Sequence, residues 1–150
     1  MARGPGLSVI VVDANLLIYS YDVRSVDHKK SVAWLEQVFS GSQVVGLPWQ
    51  SISAFLRVVT NRRLPTLRVG MDEAVQTVEA WLRTPNVRLL VPGDQHWLLF
   101  RRMVVEGRAS GPLVTDAEIA ALTVEYGGVL HTADRDFARF PGLRWKNPLE

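Results

Sequence analysis

The segment at residues 8–12, SVIVV, is apolar after its first residue and rich in β-branched side chains. A strand with one face in water alternates apolar and polar residues, and this run does not alternate. A continuous apolar run is typical of a strand that is buried on both faces of a parallel sheet. The chain must therefore supply helices to cover both faces of that sheet.

Further segments alternate between strand-like and helix-like patterns. The runs QVVGLP, VRLLVPG and VLHT predict three more strands, and LRW near Arg144 is a candidate fifth. Amphipathic segments between them predict helices, with Gly41 and the pair 127–128 as helix stops and Thr115 or Asp116 as the cap of the last helix. The pattern predicts an α/β fold, a three-layer α/β/α sandwich with a central parallel sheet of four to five strands.

Four aspartates lie where predicted strands end or predicted helices begin. Asp13 follows the first strand, Asp116 lies at the predicted start of the last helix, and Asp134 and Asp136 frame a turn after VLHT. Because parallel strands end at one edge of their sheet, acids about a hundred positions apart converge there. Packed carboxylates repel one another unless a divalent ion lies among them. The sequence therefore predicts a carboxylate site for Mg²⁺ or Mn²⁺.

Such a site has the chemistry of a nuclease. Mg²⁺ prefers oxygen ligands and keeps several waters, so two or three carboxylates hold it and leave it open to substrate. The ion activates water and neutralises the charge that grows on a phosphodiester under attack. Thr132 and Asn15 are candidates to orient water or phosphate beside the ion.

Each of these residues also has a structural explanation. Asp13 and Asn15 are good caps for a following helix, and TDAEIAAL is capping sequence around Asp116. Aspartates such as Asp134 favour turns through local hydrogen bonds, and Thr132 is a β-former. The shared position of the acids at one sheet edge favours the metal site over four separate structural roles.

Composition limits the alternatives. With 150 residues and 47% hydrophobic content, the chain is predicted to form one domain, 1–150, with a sizeable core. The absence of Cys excludes disulfides, thiolate zinc sites and Cys nucleophiles, so any metal must be held by oxygen or imidazole. The opening MARGPG is not typical of a signal peptide and no apolar run is long enough for a membrane span, which predicts a cytoplasmic protein.

The basic residues are mostly arginines in small groups. The net charge of +2 is too small by itself to indicate a nucleic-acid binder. Guanidinium groups suit phosphate, and Arg57, Arg62 and Arg135 are the candidate phosphate-binding residues. The alternative is a solvated helix surface with salt bridges to glutamates such as Glu118.

The motifs in this order resemble those of the PIN-domain family, in particular the VapC toxins that are abundant in mycobacteria. The resemblance covers nearly the whole chain and rests on VVDANLLIYS, LPWQSISAFLRVVTNRR, VTDAEIAALTVEYGGVLHTADRDFARFPGLRW and the final NPL. It implies a homodimeric, Mg²⁺- or Mn²⁺-dependent endoribonuclease that cleaves tRNA, rRNA or mRNA to stop translation and growth. It also implies inhibition by a VapB-type antitoxin in a heterotetramer or larger complex. By position, Asp13, Asp116 and Asp134 become the metal-binding catalytic acids, with Asp136 as auxiliary catalytic acid.

One position departs from the family pattern. The family usually places an acid, most often Glu, at the start of the helix after the second strand, and residues 46–60 contain none. Gln50 is the nearest polar candidate for that place. A catalytically impaired PIN scaffold that acts by binding RNA or antitoxin is therefore the alternative function.

Two other classes with strand-end acids match poorly. A haloacid dehalogenase phosphatase needs a second Asp two positions after the first, where this chain has Asn15. A phosphorelay receiver domain needs a paired acid after the first strand and a late Lys, and neither is evident in the sequence.

Overall fold

A parallel sheet of five strands forms the centre of the fold. The computed structural model describes residues 8–64, 67 and 69–150, so the MARGPG segment lies outside it. The strands are β1 Ile10–Val12, β2 Val45–Pro48, β3 Val87–Leu90, β4 Val129–His131 and β5 Trp145–Lys146. They lie in the order β3-β2-β1-β4-β5, and every neighbouring pair is parallel. The apolar run at 8–12 is thus the middle strand, as its lack of alternation requires.

Helices cover both faces of this sheet, which confirms the three-layer prediction. Ile10 and Val12 point into one hydrophobic core, and Val9 and Val11 point into the other. The first core is covered by α1 Ala14–Tyr19, α2 His28–Phe39, α3 Trp49–Val59 and α4 Met71–Arg83, and the second by α5 His96–Glu106 and α6 Leu113–Glu125. Within the part of the chain that the structure describes, no helix is long and apolar enough to cross a membrane.

Helix boundaries mostly follow the predicted signals, with one correction at α6. Gly127 adopts a left-handed φ of 64° just after α6, which is the conformation that glycine allows at a helix end. The prediction that Thr115 or Asp116 caps this helix is wrong, because α6 begins at Leu113 after Pro112. Proline is well tolerated where a helix starts, since the first N–H groups have no helical partner. Asp116 therefore lies within the first turn, and its side chain is free for another role.

The connections of the fold bring three helix starts to one edge of the sheet. α1 begins directly after β1, and α3 begins directly after β2, so both start at the carboxyl edge. α6 leads by a tight turn into β4, and its beginning therefore lies toward the same edge. Because α6 follows α5 without a strand between them, Asp116 does not follow the end of a strand as Asp13 does. Asp116 reaches the edge from a helix that runs against the strands.

Candidate active site

Asp13 is a buried carboxylate between the middle strand and α1. It is the N-cap of α1, and its Oδ1 accepts a hydrogen bond from the Ala14 backbone N–H at 2.8 Å. Its Oδ2 accepts from the Thr132 hydroxyl at 2.8 Å. Burial raises the pKa of Asp13, the charge of Asp134 adds to this effect and the two hydrogen bonds oppose it, which leaves the pKa at about 6. Capping is therefore confirmed for Asp13, and the same carboxylate also faces the end of β4.

Thr132 joins the ends of the two central strands. It lies directly after β4 and is fully buried. Its Oγ1 donates to Asp13 and accepts from the side-chain amide of Asn15 at 3.3 Å and the backbone N–H of Asp134 at 3.0 Å. A hydroxyl has one proton to donate and two lone pairs, so all its hydrogen-bonding capacity is in use. Thr132 fixes the relative positions of two acids that lie far apart in the sequence.

Replacing this hydroxyl by a methyl group tests that role. Thr132→Val keeps the shape of the side chain but removes the partner of Asp13 Oδ2, of the Asn15 side-chain amide and of the Asp134 N–H. We expect a loss of about 1–3 kcal/mol in the free energy of unfolding, and Thr132→Ser should lose much less. Urea denaturation of both variants measures the difference. Equal losses in the two variants would contradict a role for the hydroxyl.

Asp134 and Asp136 lie at the turn after β4. Asp134 is the N-cap of a short 3₁₀ helix, Arg135–Arg139, and its Oδ1 accepts from the backbone N–H of Asp136 at 2.8 Å. The interpretation of Asp134 as a turn-forming residue is therefore confirmed. Asp136 is exposed, and Asp134 is partly buried. Both carboxylates remain close enough to the other acids to affect them.

Asp116 shows that the four aspartates form one electrostatic cluster, which we call the acid cluster. Partial burial raises the pKa of Asp116 most, and together with the charges of Asp13, Asp134 and Asp136 it brings this pKa to about 7. Arg139 opposes these effects. Side chains that follow β1, lie on α6 and lie in the turn after β4 thus act on one another electrostatically.

The raised pKa of Asp116 predicts how stability depends on pH in the metal-free protein. As the pH rises from 3.8 to about 7, the unfolded state loses this proton before the folded state does. Asp116 therefore destabilises the fold increasingly over this range, and the full effect is present above pH 7. Asp116→Asn should therefore raise the melting temperature in EDTA at pH 8 and leave it unchanged at pH 4. The expected gain is on the order of 1 kcal/mol, because solvent screens this half-buried group. A melting temperature of Asp116→Asn below that of the wild type at pH 8 would contradict repulsion between Asp116 and the other acids.

The acid cluster suits a hard divalent cation. Its donors are carboxylate oxygens, and the Oδ1 of Asn15 beside them is buried with no hydrogen-bond partner in residues 8–64, 67 and 69–150. Across those same residues, no three acidic or histidine side chains are already placed as a complete metal-binding group. Repelling carboxylates that share a site are expected to draw together only when a cation neutralises them. The residues present therefore fit Mg²⁺ or Mn²⁺ better than a preformed zinc site.

The three histidines lie outside the acid cluster. The Nδ1 of His28 is 2.8 Å from the Tyr19 carbonyl oxygen, and His96 lies near Glu125. His131 stacks on Trp34, and burial lowers the pKa of this imidazole to about 4. Their surroundings are those of structural side chains.

Gln50 lies in a groove between α3 and α6, where it forms a hydrogen bond with Glu118. Its Nε2 donates to Glu118 Oε2 at 3.0 Å, and its Oε1 is buried without a partner in the described part of the chain. The prediction of a salt bridge for Glu118 is wrong, since the structure pairs it with this amide. We call the recess the α3–α6 groove. It has a volume of about 240 Å³ and is lined by Trp49, Gln50, Ser53, Ala54, Arg57, Thr115 and Glu118.

The three candidate phosphate-binding arginines are not all at the acid cluster. Arg57 lines the α3–α6 groove. Arg135 follows Asp134 directly, but its guanidinium pairs with Glu150 at 3.5 Å on the surface. Arg62 lies beyond the opposite end of α3, in a separate depression of about 550 Å³. Arg139, whose charge lowers the pKa of Asp116, is a basic residue near the acid cluster that is not among these three candidates.

Comparison with known proteins identifies the family. The profile of the PIN domain matches residues 10–143, which include all four aspartates. The chain belongs to the PIN-domain family. This PIN domain is 37% identical to Ribonuclease VapC43 of Mycobacterium tuberculosis over 142 residues, which cover 95% of this chain and 97% of that protein. It is 33% identical to Ribonuclease VapC33 of the same species, over 94% of this chain and 99% of that protein.

Solved structures share the fold of this PIN domain. One is VapBC2 from Rickettsia felis bound to a DNA fragment from its promoter, with a TM-score of 0.69 and 12% identity over 93% of this chain and 98% of that one. Another is Mycobacterium tuberculosis VapC20, a toxin that cleaves the sarcin–ricin loop, with a TM-score of 0.65 and 19% identity over 90% of this chain and 98% of that one. The predicted sandwich is thus confirmed as a PIN fold.

Proposed function

We propose that this PIN domain is the toxin of a type II toxin–antitoxin system and an endoribonuclease that depends on Mg²⁺ or Mn²⁺. It would cleave phosphodiester bonds in tRNA, rRNA or mRNA and so inhibit translation and growth. The observation that carries the proposal is the acid cluster, in which the charge of Asp134 raises the pKa of Asp13, and the charges of Asp13, Asp134 and Asp136 raise the pKa of Asp116. The relatives named as ribonucleases, at 33–37% identity over more than nine-tenths of the chain, support it.

Each residue of the acid cluster then has a role. Asp13, Asp116 and Asp134 would hold the ion, and Asp136 is an auxiliary catalytic acid. When bound, the ion supplies Lewis-acid activation of water and of the phosphodiester. Thr132 holds Asp13 and Asp134 in place through the hydrogen bonds described above, and Asn15 donates to the Thr132 hydroxyl. Gln50 remains a predicted auxiliary residue, and its bond to Glu118 assigns it to the groove beside the acids.

The partners follow from the same proposal. Residues 1–150 would act in the cytoplasm as a single PIN domain and as a homodimer. A VapB-type antitoxin would bind it in a heterotetramer or larger complex, and the VapBC complexes among similar structures support this partner. Arg57, Arg62 and Arg135 are proposed to bind RNA phosphates from three separate parts of the surface.

Incubation of the purified protein with total RNA tests the function. Cleavage is expected with Mn²⁺, should stop with EDTA, and should return when Mn²⁺ is restored in excess. Sequencing of the new RNA ends would identify the substrate. RNA that stays intact under all three conditions would contradict the nuclease.

The alternative is a catalytically impaired scaffold that acts by binding RNA or antitoxin. Two observations favour it, namely the lack of any acid in residues 46–60 and the engagement of Gln50 with Glu118 rather than with the acid cluster. Under this alternative the protein would bind RNA or antitoxin tightly without producing new RNA ends. The same incubation, followed by a binding measurement, separates the two functions.

A further inference from the structure

We propose that the α3–α6 groove binds one unpaired RNA base beside the cleaved bond, with Trp49 as its stacking surface and Glu118 as its hydrogen-bond acceptor. The inference rests on the proposed nuclease function and adds a specificity site to it. Guanine is the base that matches the groove best.

Trp49 is placed for contact with a ligand rather than for the core. It is the first residue of α3, directly after β2, and 56% of its surface is exposed. Within the part of the chain that the structure describes, no aromatic ring stacks on it, whereas Trp34 and Trp81 pack on other rings. Single-stranded nucleic acids commonly stack their bases on such exposed aromatic side chains.

The groove shares helix α6 with the acid cluster. One wall carries Trp49, Ser53 and Arg57, which lie four residues apart and therefore share one face of α3. The opposite wall comes from α6, where Thr115 directly precedes Asp116. A base held in this groove would belong to a nucleotide next to the phosphodiester at the acids, and Arg57 would offset the charge of its phosphate.

The hydrogen-bonding groups in the groove select a base with N–H donors. Glu118 uses Oε2 to accept from Gln50, while its Oε1 accepts no hydrogen bond within residues 8–64, 67 and 69–150. The two oxygens of Glu118 are thus the acceptors that the groove offers to a base, and the amide of Gln50 holds this carboxylate in place.

Guanine meets these acceptors best among the four bases. Its Watson–Crick edge presents two adjacent donors, the ring N1–H and the amino group, which can bond the two oxygens of one carboxylate together. Uracil presents one N–H between two carbonyl oxygens, which the carboxylate would repel. Phosphate is excluded as the main occupant by the same negative charge, so Glu118 would read a base edge and not the backbone.

Binding without cleavage tests Trp49. The probes are fluorescein-labelled, single-stranded RNAs that differ only in one central base, measured by anisotropy in EDTA. Trp49→Ala should weaken binding of the guanine probe by roughly 5- to 150-fold, the range for loss of one stacked base. Trp49→Phe should retain most of the affinity. Trp97→Ala is the matched control, since Trp97 is 63% exposed but lies on α5, and it should change binding less than about twofold.

Glu118→Gln tests the choice of base. The variant keeps the size of the side chain but replaces the carboxylate, so the preference for guanine over uracil should fall in the binding assay. With Mn²⁺, the variant should still cut RNA, at sites that are less enriched in guanine next to the cut. Wild-type affinity in Trp49→Ala, an equal loss in Trp97→Ala, or an unchanged base preference in Glu118→Gln would each overturn the proposal.

These outcomes differ from failure of the proposed function. If the wild-type protein never cuts RNA, the nuclease proposal fails, while the anisotropy assay in EDTA still reports on the groove. If it cuts RNA but the Trp49 and Glu118 variants bind and cut as the wild type does, only the groove proposal fails.

Discussion

Asp116→Asn is expected to abolish RNA cleavage while the protein stays folded. The substitution removes one of three carboxylates proposed to hold the ion, and metal-ion catalysis supplies several kcal/mol of transition-state stabilisation. The expected loss in cleavage rate is therefore at least about 100-fold. The fold should tolerate the change, because Asp116 caps no helix and its charge is repelled by Asp13, Asp134 and Asp136. Initial rates on total RNA with Mn²⁺, together with circular dichroism, measure both effects.

Asp72→Asn is the matched control for this experiment. Asp72 also lies in the first turn of a helix, but that helix is α4 and the residue is exposed. It should cleave RNA at the wild-type rate. Wild-type cleavage by Asp116→Asn, at equal protein concentration, would contradict the role of Asp116.

Production of the wild-type protein without its antitoxin is expected to arrest bacterial growth. Production of the Asp13→Asn variant should leave growth normal. Asp13 is the most buried of the four aspartates and joins α1 to the end of β4 through Thr132. Loss of its charge removes an ionic donor to the cation, so cleavage and growth arrest should both disappear. Growth curves after induction in a host that lacks the antitoxin measure the effect.

The control for this experiment must distinguish loss of catalytic activity from loss of the folded structure. An asparagine at position 13 offers one oxygen where the aspartate uses two, so one of its hydrogen bonds weakens. Asp116→Asn has no such bond to lose and should restore growth as well, at equal protein levels. Equal growth of the wild-type strain and both variant strains would argue against a toxin and favour the inactive scaffold.

The sequence predicts those parts of the fold that depend on periodic patterns. The unbroken apolar run at 8–12 requires a strand with both faces covered, and the structure makes it the middle strand between two cores. Asp13 follows that strand directly, so its place at the carboxyl edge is fixed by local sequence. The same holds for Asp134 and Asp136, which follow β4 within a few residues.

The parts that sequence patterns do not predict depend on contacts between distant elements. TDAEIAAL is consistent with a cap at Asp116, but Pro112 allows α6 to start earlier. The bond between Gln50 and Glu118 joins side chains 68 positions apart, and no periodicity indicates it. The separation of Arg62 from the acid cluster depends on the direction of α3, although it lies near Arg57 in the sequence.

Our central claim is that Asp13, Asp116 and Asp134 form one cation site with Asp136 as an auxiliary acid, and calorimetric titration with Mn²⁺ at pH 8 tests it most directly. Wild-type protein is predicted to bind Mn²⁺ and to gain melting temperature as it does so, since the ion neutralises carboxylates that repel one another. Asp116→Asn should bind much more weakly, and Asp72→Asn should bind as the wild type does. Absence of Mn²⁺ binding by the wild type, or equal affinity in the wild type and Asp116→Asn, would contradict the claim.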